Sequence, residues 1–76
     1  MTALEKNRRS PDKRDADLGF RIRKRRQDMR LSLKTVSGQI GISSQQLRKY
    51  ELGRNRISVQ RLEQIAEILG ATASDF

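Results

Sequence analysis

Cysteine and histidine are both missing from this 76-residue chain. Without cysteine there is no disulfide framework, no thiolate metal site and no thiol nucleophile. Without histidine the commonest general base and metal ligand is gone. Tryptophan is absent too, only Phe20, Tyr50 and Phe76 are aromatic, and Pro11 is the single proline. No apolar run approaches the ~18 residues of a membrane span. The first residues, MTALEKNRRS, lack the apolar segment of a secretory signal. Carboxylates are not clustered and no glycine-rich loop could cradle a phosphate, so no catalytic constellation can be assembled. These absences argue against an enzyme, a metal or other cofactor, and a membrane partner, and they place the expected protein in the cytoplasm.

Positive charge is abundant. Lys and Arg number 17 against nine Asp and Glu, a formal net charge of +8. Residues 1–16 carry +2, residues 17–30 carry +4, residues 31–57 carry +4 and residues 58–76 carry −2. A basic face of this kind attracts polyanions, either nucleic acid or anionic lipid. With 34% apolar residues the core must be compact and built from few side chains. A chain this short makes one small domain.

Residues 1–16 mix Lys, Arg, Asp, Asn and Ser around Pro11 with almost no apolar periodicity, which predicts a disordered basic tail. The pattern changes at Asp17. Leu18, Ile22 and Met29 fall at helical spacing, with Arg25 or Arg26 completing the stripe, and Asp15 or Asp17 can cap the start. This first helix is expected to end near Arg30. Ser32 can cap a second helix with Leu33, Val36, Ser37 and Ile40 inward, stopped at Gly41. Ser43 and Gln46 have the spacing of a capping box for a third helix, with Leu47 and Tyr50 inward and Gly53 closing it. Arg54, Asn55 and Arg56 form a basic loop, after which Ile57 packs. Ser58 can cap a fourth helix with Val59, Leu62, Ile65, Ala66 and Leu69 inward, ended by Gly70. Thr72 starts a fifth helix that has only one turn before Phe76. No strand pattern competes, so the fold is expected to be all-α.

The second and third helices have almost no linker and must cross steeply. Ser37 supplies a small side chain at the crossing and Gly41 a turn. Val36, Ile40, Ile42, Leu47 and Tyr50 supply apolar contacts. These features, in order, mark a helix-turn-helix at about residues 33–52. Inward Leu47 and Tyr50 leave Ser44, Gln45, Arg48 and Lys49 on the outer face of the third helix, about residues 44–52. Glutamine pairs with adenine through two hydrogen bonds, and Arg or Lys prefers the acceptors of guanine in the major groove. Helix N-termini favour phosphate, which nominates Ser32, Leu33 and Ser43; Lys34, Arg54, Asn55 and Arg56 add side chains. Gln46 is assigned to capping and to the DNA backbone. The basic run Arg21–Arg26 is chiefly a solvated helix face that can also lie near flanking phosphates. The tail is read first as simple disorder and second as a minor-groove arm.

The segment from Asp17 to Phe76 resembles the XRE family of phage Cro and repressor-type helix-turn-helix regulators. The run RIRKRR, then GIS-x-QQL-x-KYE-x-G-x-NRIS, then L-x-x-IA-x-x-LG is similar to regulators common in alphaproteobacteria. The resemblance covers residues 17–76. It implies a lambda-repressor-like bundle of four to five helices and a homodimer on a pseudo-palindromic double-stranded operator. It further implies control of transcription, and so a place on the bacterial nucleoid when bound. It also implies that Ser44, Gln45 and Lys49, with Arg48 beside them, occupy the usual base-contacting positions. By the same resemblance Arg26 and Glu51 form a partly buried structural ion pair, and the loop 54–56 lies along the backbone near the minor groove. Ser37 stands where alanine is usual, Leu33 where many relatives place a phosphate-binding glutamine, and Arg25 at a frequently apolar position.

Relatives dimerise around the fifth helix, so Leu69, Phe76 and their neighbours are the expected contacts. The dimer is then either weak or dependent on residues after Phe76. Two other functions fit the same residues. One is an antitoxin or coactivator-like module that holds a protein partner through this domain. The other is RNA or ribosome association by charge alone.

Overall fold

The structure, a computed structural model, describes residues 11–76. Among them are four α-helices, α1 (Lys13–Asp28), α2 (Leu33–Ile40), α3 (Ser44–Glu51) and α4 (Val59–Ile68), followed by a short 3-10 turn, Ala73–Asp75. The expected fifth helix is thus a three-residue turn. There is no strand among the described residues. The expected disorder and minor-groove arm of the first ten residues lie outside the described part.

Helix α1 starts earlier than apolar periodicity indicates. Its cap is Asp12, not Asp15 or Asp17, and residues 13–16, assigned to the tail on composition, are helical. The Asp12 carboxylate accepts the Arg14 amide at 3.0 Å, while the Asp15 carboxylate accepts the Asp12 amide at 2.8 Å. This reciprocal box satisfies amides that have no partner inside the helix. The Arg14 side chain, donating to Asp12, holds the Asp12 carboxyl down to about 2, helped by the Arg14 and Asp15 amides. A depressed folded value means that this carboxylate stabilises the first turn above its unfolded value and ceases to do so as pH falls through about 2. Acidification from about pH 4 to about pH 2 is therefore expected to fray α1 from its start, read as faster amide exchange at Arg14 with α4 still protected.

Gly19, Ile22 and Arg26 are the buried residues of α1. Arg26, not Arg25, completes the stripe. Arg25 instead reaches the end of α4, donating from Nε to the Leu69 carbonyl at 2.9 Å and from Nη2 to the Gly70 carbonyl at 3.3 Å. A cation at a helix C-terminus satisfies free carbonyls and opposes the helix dipole. The helix ends at Asp28, close to the expected end near Arg30, but its C-cap Met29 is 40% exposed instead of inward.

Serines begin the other three helices. Ser32, Ser43 and Ser58 accept the amides of Thr35, Gln46 and Arg61 at 3.0, 3.0 and 3.1 Å. Between α2 and α3, Gly41 turns with φ +86°, and its amide and that of Ile42 both donate to the Ser37 carbonyl. An L side chain would be strained at that φ, which is why the sharp turn falls on glycine.

The core is small. Ile22, Val36, Leu47, Ile65 and Leu69 are fully buried and come from every helix and the α4 end. Leu18, Ile40, Ile42, Tyr50, Ile57, Leu62 and Phe76 pack around them half-buried. One inward assignment of α4 and one interface assignment change. Val59 is 72% exposed, because it occupies the first position of α4, outside the core. Leu69 is fully buried, so it cannot form an interface between copies.

Candidate nucleic-acid interface

Helix α3 is anchored on one side and open on the other. Leu47 enters the core and Tyr50 packs against it. Glu51 is buried on the same side, where the Arg26 guanidinium meets it in a two-point contact: Nε to Oε2 at 2.7 Å and Nη2 to Oε1 at 3.0 Å. Arg26 Nη1 also donates to the Leu31 carbonyl at 2.9 Å. One side chain of α1 therefore holds the end of α3 and the segment leading into α2. The parallel fork suits a planar guanidinium and carboxylate, and it leaves neither charge unpaired away from water.

On the open side, Gln45, Arg48 and Lys49 are exposed and Ser44 and Gln46 are half-buried. Gln45 and Lys49 stand one turn apart in one row, with Ser44 and Arg48 in the row beside it. Ser44 is tied to α2, its Oγ 3.0 Å from Ser37 Oγ. Gln46 does not complete the expected box with Ser43; its Nε2 donates to Asn55 Oδ1 at 3.2 Å. The link joins α3 to the loop that follows it.

The nominated phosphate contacts fall in three places. Ser32, Leu33 and Lys34 lie at the start of α2, with the Ser32 hydroxyl engaged at the Thr35 amide and hydroxyl. Half-buried Leu33 offers its backbone amide rather than a polar side chain. Ser43, at the start of α3, caps Gln46. Arg54, Asn55 and Arg56 are exposed in the loop, the Arg54 amide bonded to the Lys49 carbonyl at 2.9 Å. Arg56 Nε lies 4.0 Å from the Asp15 carboxylate, a loose surface pair that tethers the loop to α1 weakly.

In the sequence Arg23 is one member of a basic run. It lines a cleft of about 60 Å³ together with Arg26, Leu33, Arg48, Glu51 and Leu52. The cleft brings Arg48 and Arg23 to the same place as the neutralised Arg26–Glu51 pair and Leu33, the first residue of α2. Helical spacing marks Arg23 as outward but carries no sign of what stands opposite it. Chemically the assembly is a basic surface with amides and hydroxyls at two helix starts and an amide-bearing helix row. It offers hydrogen bonds and charge, with no group of three or more metal-ligating side chains among the described residues. No described helix is long and apolar enough to cross a membrane.

Residues 17–76 match the family model of a helix-turn-helix domain. The chain is similar to an HTH-type transcriptional regulator of Sinorhizobium fredii, 43% identical over 75 residues, covering 99% of this chain and 52% of that protein. It is 47% identical over 62 residues to a transcriptional regulator of Rhodospirillum rubrum from an ATPase CF(0) region, covering 82% and 57%. The chain thus spans about half the length of the curated relatives it matches. Among solved structures it resembles the clp gene regulator ClgR of Corynebacterium glutamicum, with a TM-score of 0.78 and 28% identity over 80% of this chain and 65% of that one.

Proposed function

Since the chain belongs to the helix-turn-helix domain family, we propose that it reads double-stranded DNA in a sequence-specific way and regulates transcription, as a member of the XRE type. One observation carries this reading: an exposed Gln45, Arg48 and Lys49 face on a helix whose opposite side is locked by the core and by Arg26–Glu51. A merely solvated basic helix needs no such anchoring. In this reading α3 enters the major groove. Gln45 and Lys49 meet base edges, and Ser44 lies at the near end of the adjoining row. Arg48, beside Arg23, serves the backbone as well as the groove edge.

Ser32, Leu33, Lys34, Ser43 and Gln46, with Arg54, Asn55 and Arg56, position the protein on phosphates and carry little sequence information. No residue takes a catalytic role and no cofactor is needed. The protein acts in the cytoplasm, on the nucleoid. A homodimer would place two α3 helices ~34 Å apart on successive major grooves. Buried Leu69 takes no part in it, which leaves Phe76 and its exposed neighbours.

Selection of bound sequences from a random duplex pool tests the proposal. A palindromic motif is expected, and Gln45→Ala and Lys49→Ala are each expected to weaken binding to it by roughly 5- to 100-fold while relaxing preference at a single position per half-site. Recovery of unrelated sequences by the unaltered protein would leave only charge-driven association.

A further inference from the structure

Ser37 is 3% exposed, so its hydroxyl must find its partners inside the protein. Its Oγ lies 3.3 Å from the Lys34 carbonyl oxygen and 3.0 Å from Ser44 Oγ. A hydroxyl has one hydrogen to give and two lone pairs to accept with, whereas a carbonyl oxygen only accepts. Both contacts are hydrogen bonds in one arrangement alone. Ser37 donates to Lys34, and Ser44 donates to Ser37. In the opposite arrangement Ser37 donates to Ser44, and two oxygens face each other at the carbonyl with no hydrogen between them.

We infer that Ser37 commits the hydrogen of Ser44 and so presents Ser44 Oγ to DNA as an acceptor only. The inference rests on the reading that α3 lies in the major groove. There adenine N6 and cytosine N4 donate, while guanine N7 and O6 and thymine O4 accept. An unconstrained serine serves either kind of base. Ser44 with its hydrogen engaged serves adenine or cytosine and refuses guanine or thymine. Ser44 is then the discriminating residue at one operator position, and Ser37 is a positioning residue that sets its sign from inside the protein. Nothing in the exposed face of α3 discloses this, because the controlling hydroxyl is on the neighbouring helix.

The test is selection from a random duplex pool with the wild type, Ser37→Ala, Ser44→Ala and the double variant. Alanine is the better helix former and fills the small site, so melting temperatures within a few degrees of wild type establish that each variant folds. The wild type is expected to enrich adenine or cytosine over guanine or thymine at one position per half-site, by roughly tenfold. Ser37→Ala flattens that preference to about twofold or less and keeps the rest of the motif. Ser44→Ala flattens the same position, and adding Ser37→Ala to it changes nothing more. A wild-type motif whose every position survives Ser37→Ala overturns the inference, as does guanine or thymine at the position that Ser44→Ala affects. The absence of any wild-type motif overturns the α3 reading itself, and the hydroxyl assignment loses its role with it.

Discussion

Gly19→Ala is expected to destabilise the domain by at least about 2 kcal/mol, lowering the melting temperature by roughly 10 °C or more. Helix propensity and packing act in opposite directions at this position. Gly19 lies inside α1, where alanine is intrinsically favoured over glycine by about 1 kcal/mol. Were only helix propensity at work, the variant would melt higher. But a methyl group at Gly19 would overlap the Tyr50 carbonyl oxygen and stand 2.6 Å from the Glu51 carbonyl oxygen. Those are backbone atoms at the end of α3 and cannot swing aside as a flexible side chain would. The two helices must separate or tilt, and the change falls at the place where Arg26 grips Glu51. Binding to a selected duplex should fall along with stability. A raised melting temperature would mean that α1 and α3 do not approach this closely.

Glu51→Ala should have the larger effect, about 3–5 kcal/mol, since it leaves the Arg26 guanidinium buried beside no carboxylate. The side chains of Arg26 and Glu51 are only 11% and 3% exposed, so water does not replace the lost partner easily. Natural domains hold roughly 0.05–0.15 kcal/mol per residue, and a loss of that size removes much of the stability of a 76-residue chain. The paired variant Arg26→Met with Glu51→Leu distinguishes the cause. It removes both charges and keeps apolar bulk, so it is expected to recover most of the loss. Thermal melts of the three proteins decide the matter. A Glu51→Ala melting temperature within a few degrees of wild type would show that the pair does not hold α3.

Much of the scaffold is legible in the residues. Ser32, Ser43 and Ser58 each begin a helix because a serine oxygen can take an early amide, and that chemistry is local. Gly41 ends α2 for an equally local reason. Ile22, Val36, Leu47 and Ile65 stand out by spacing, and all four are buried. What escapes is what depends on the partner across the gap. The start of α1 is hidden because Lys13–Ala16 carry no apolar stripe and the box is closed by two aspartates. Val59 satisfies the spacing of α4 yet lies in its first turn, beyond the reach of the core.

The same limit applies at the interface. Arg25 and Arg26 are adjacent and chemically identical, and only the positions of Leu69 and Glu51 decide which caps α4 and which pairs. Gln46 has the spacing of a capping residue but finds Asn55 instead. Arg23 joins Arg48 through the tertiary fold, and the proton order between Ser37 and Ser44 requires both helices to be in place. The resemblance to a known family supplies the roles of the outer residues of α3; their spacing alone supplies only their exposure.

If α3 distinguishes one duplex from another, equilibrium affinity for a selected duplex must exceed that for an unrelated one. Titrations over a range of salt should give a specific affinity at least about 10³-fold tighter near physiological salt, with both affinities falling as counterions compete for phosphate. Gln45→Ala should shrink the ratio with little effect on the unrelated duplex. Equal affinity for the two duplexes at every salt concentration, unchanged by Gln45→Ala, would contradict the account and leave a basic domain held to nucleic acid by charge alone.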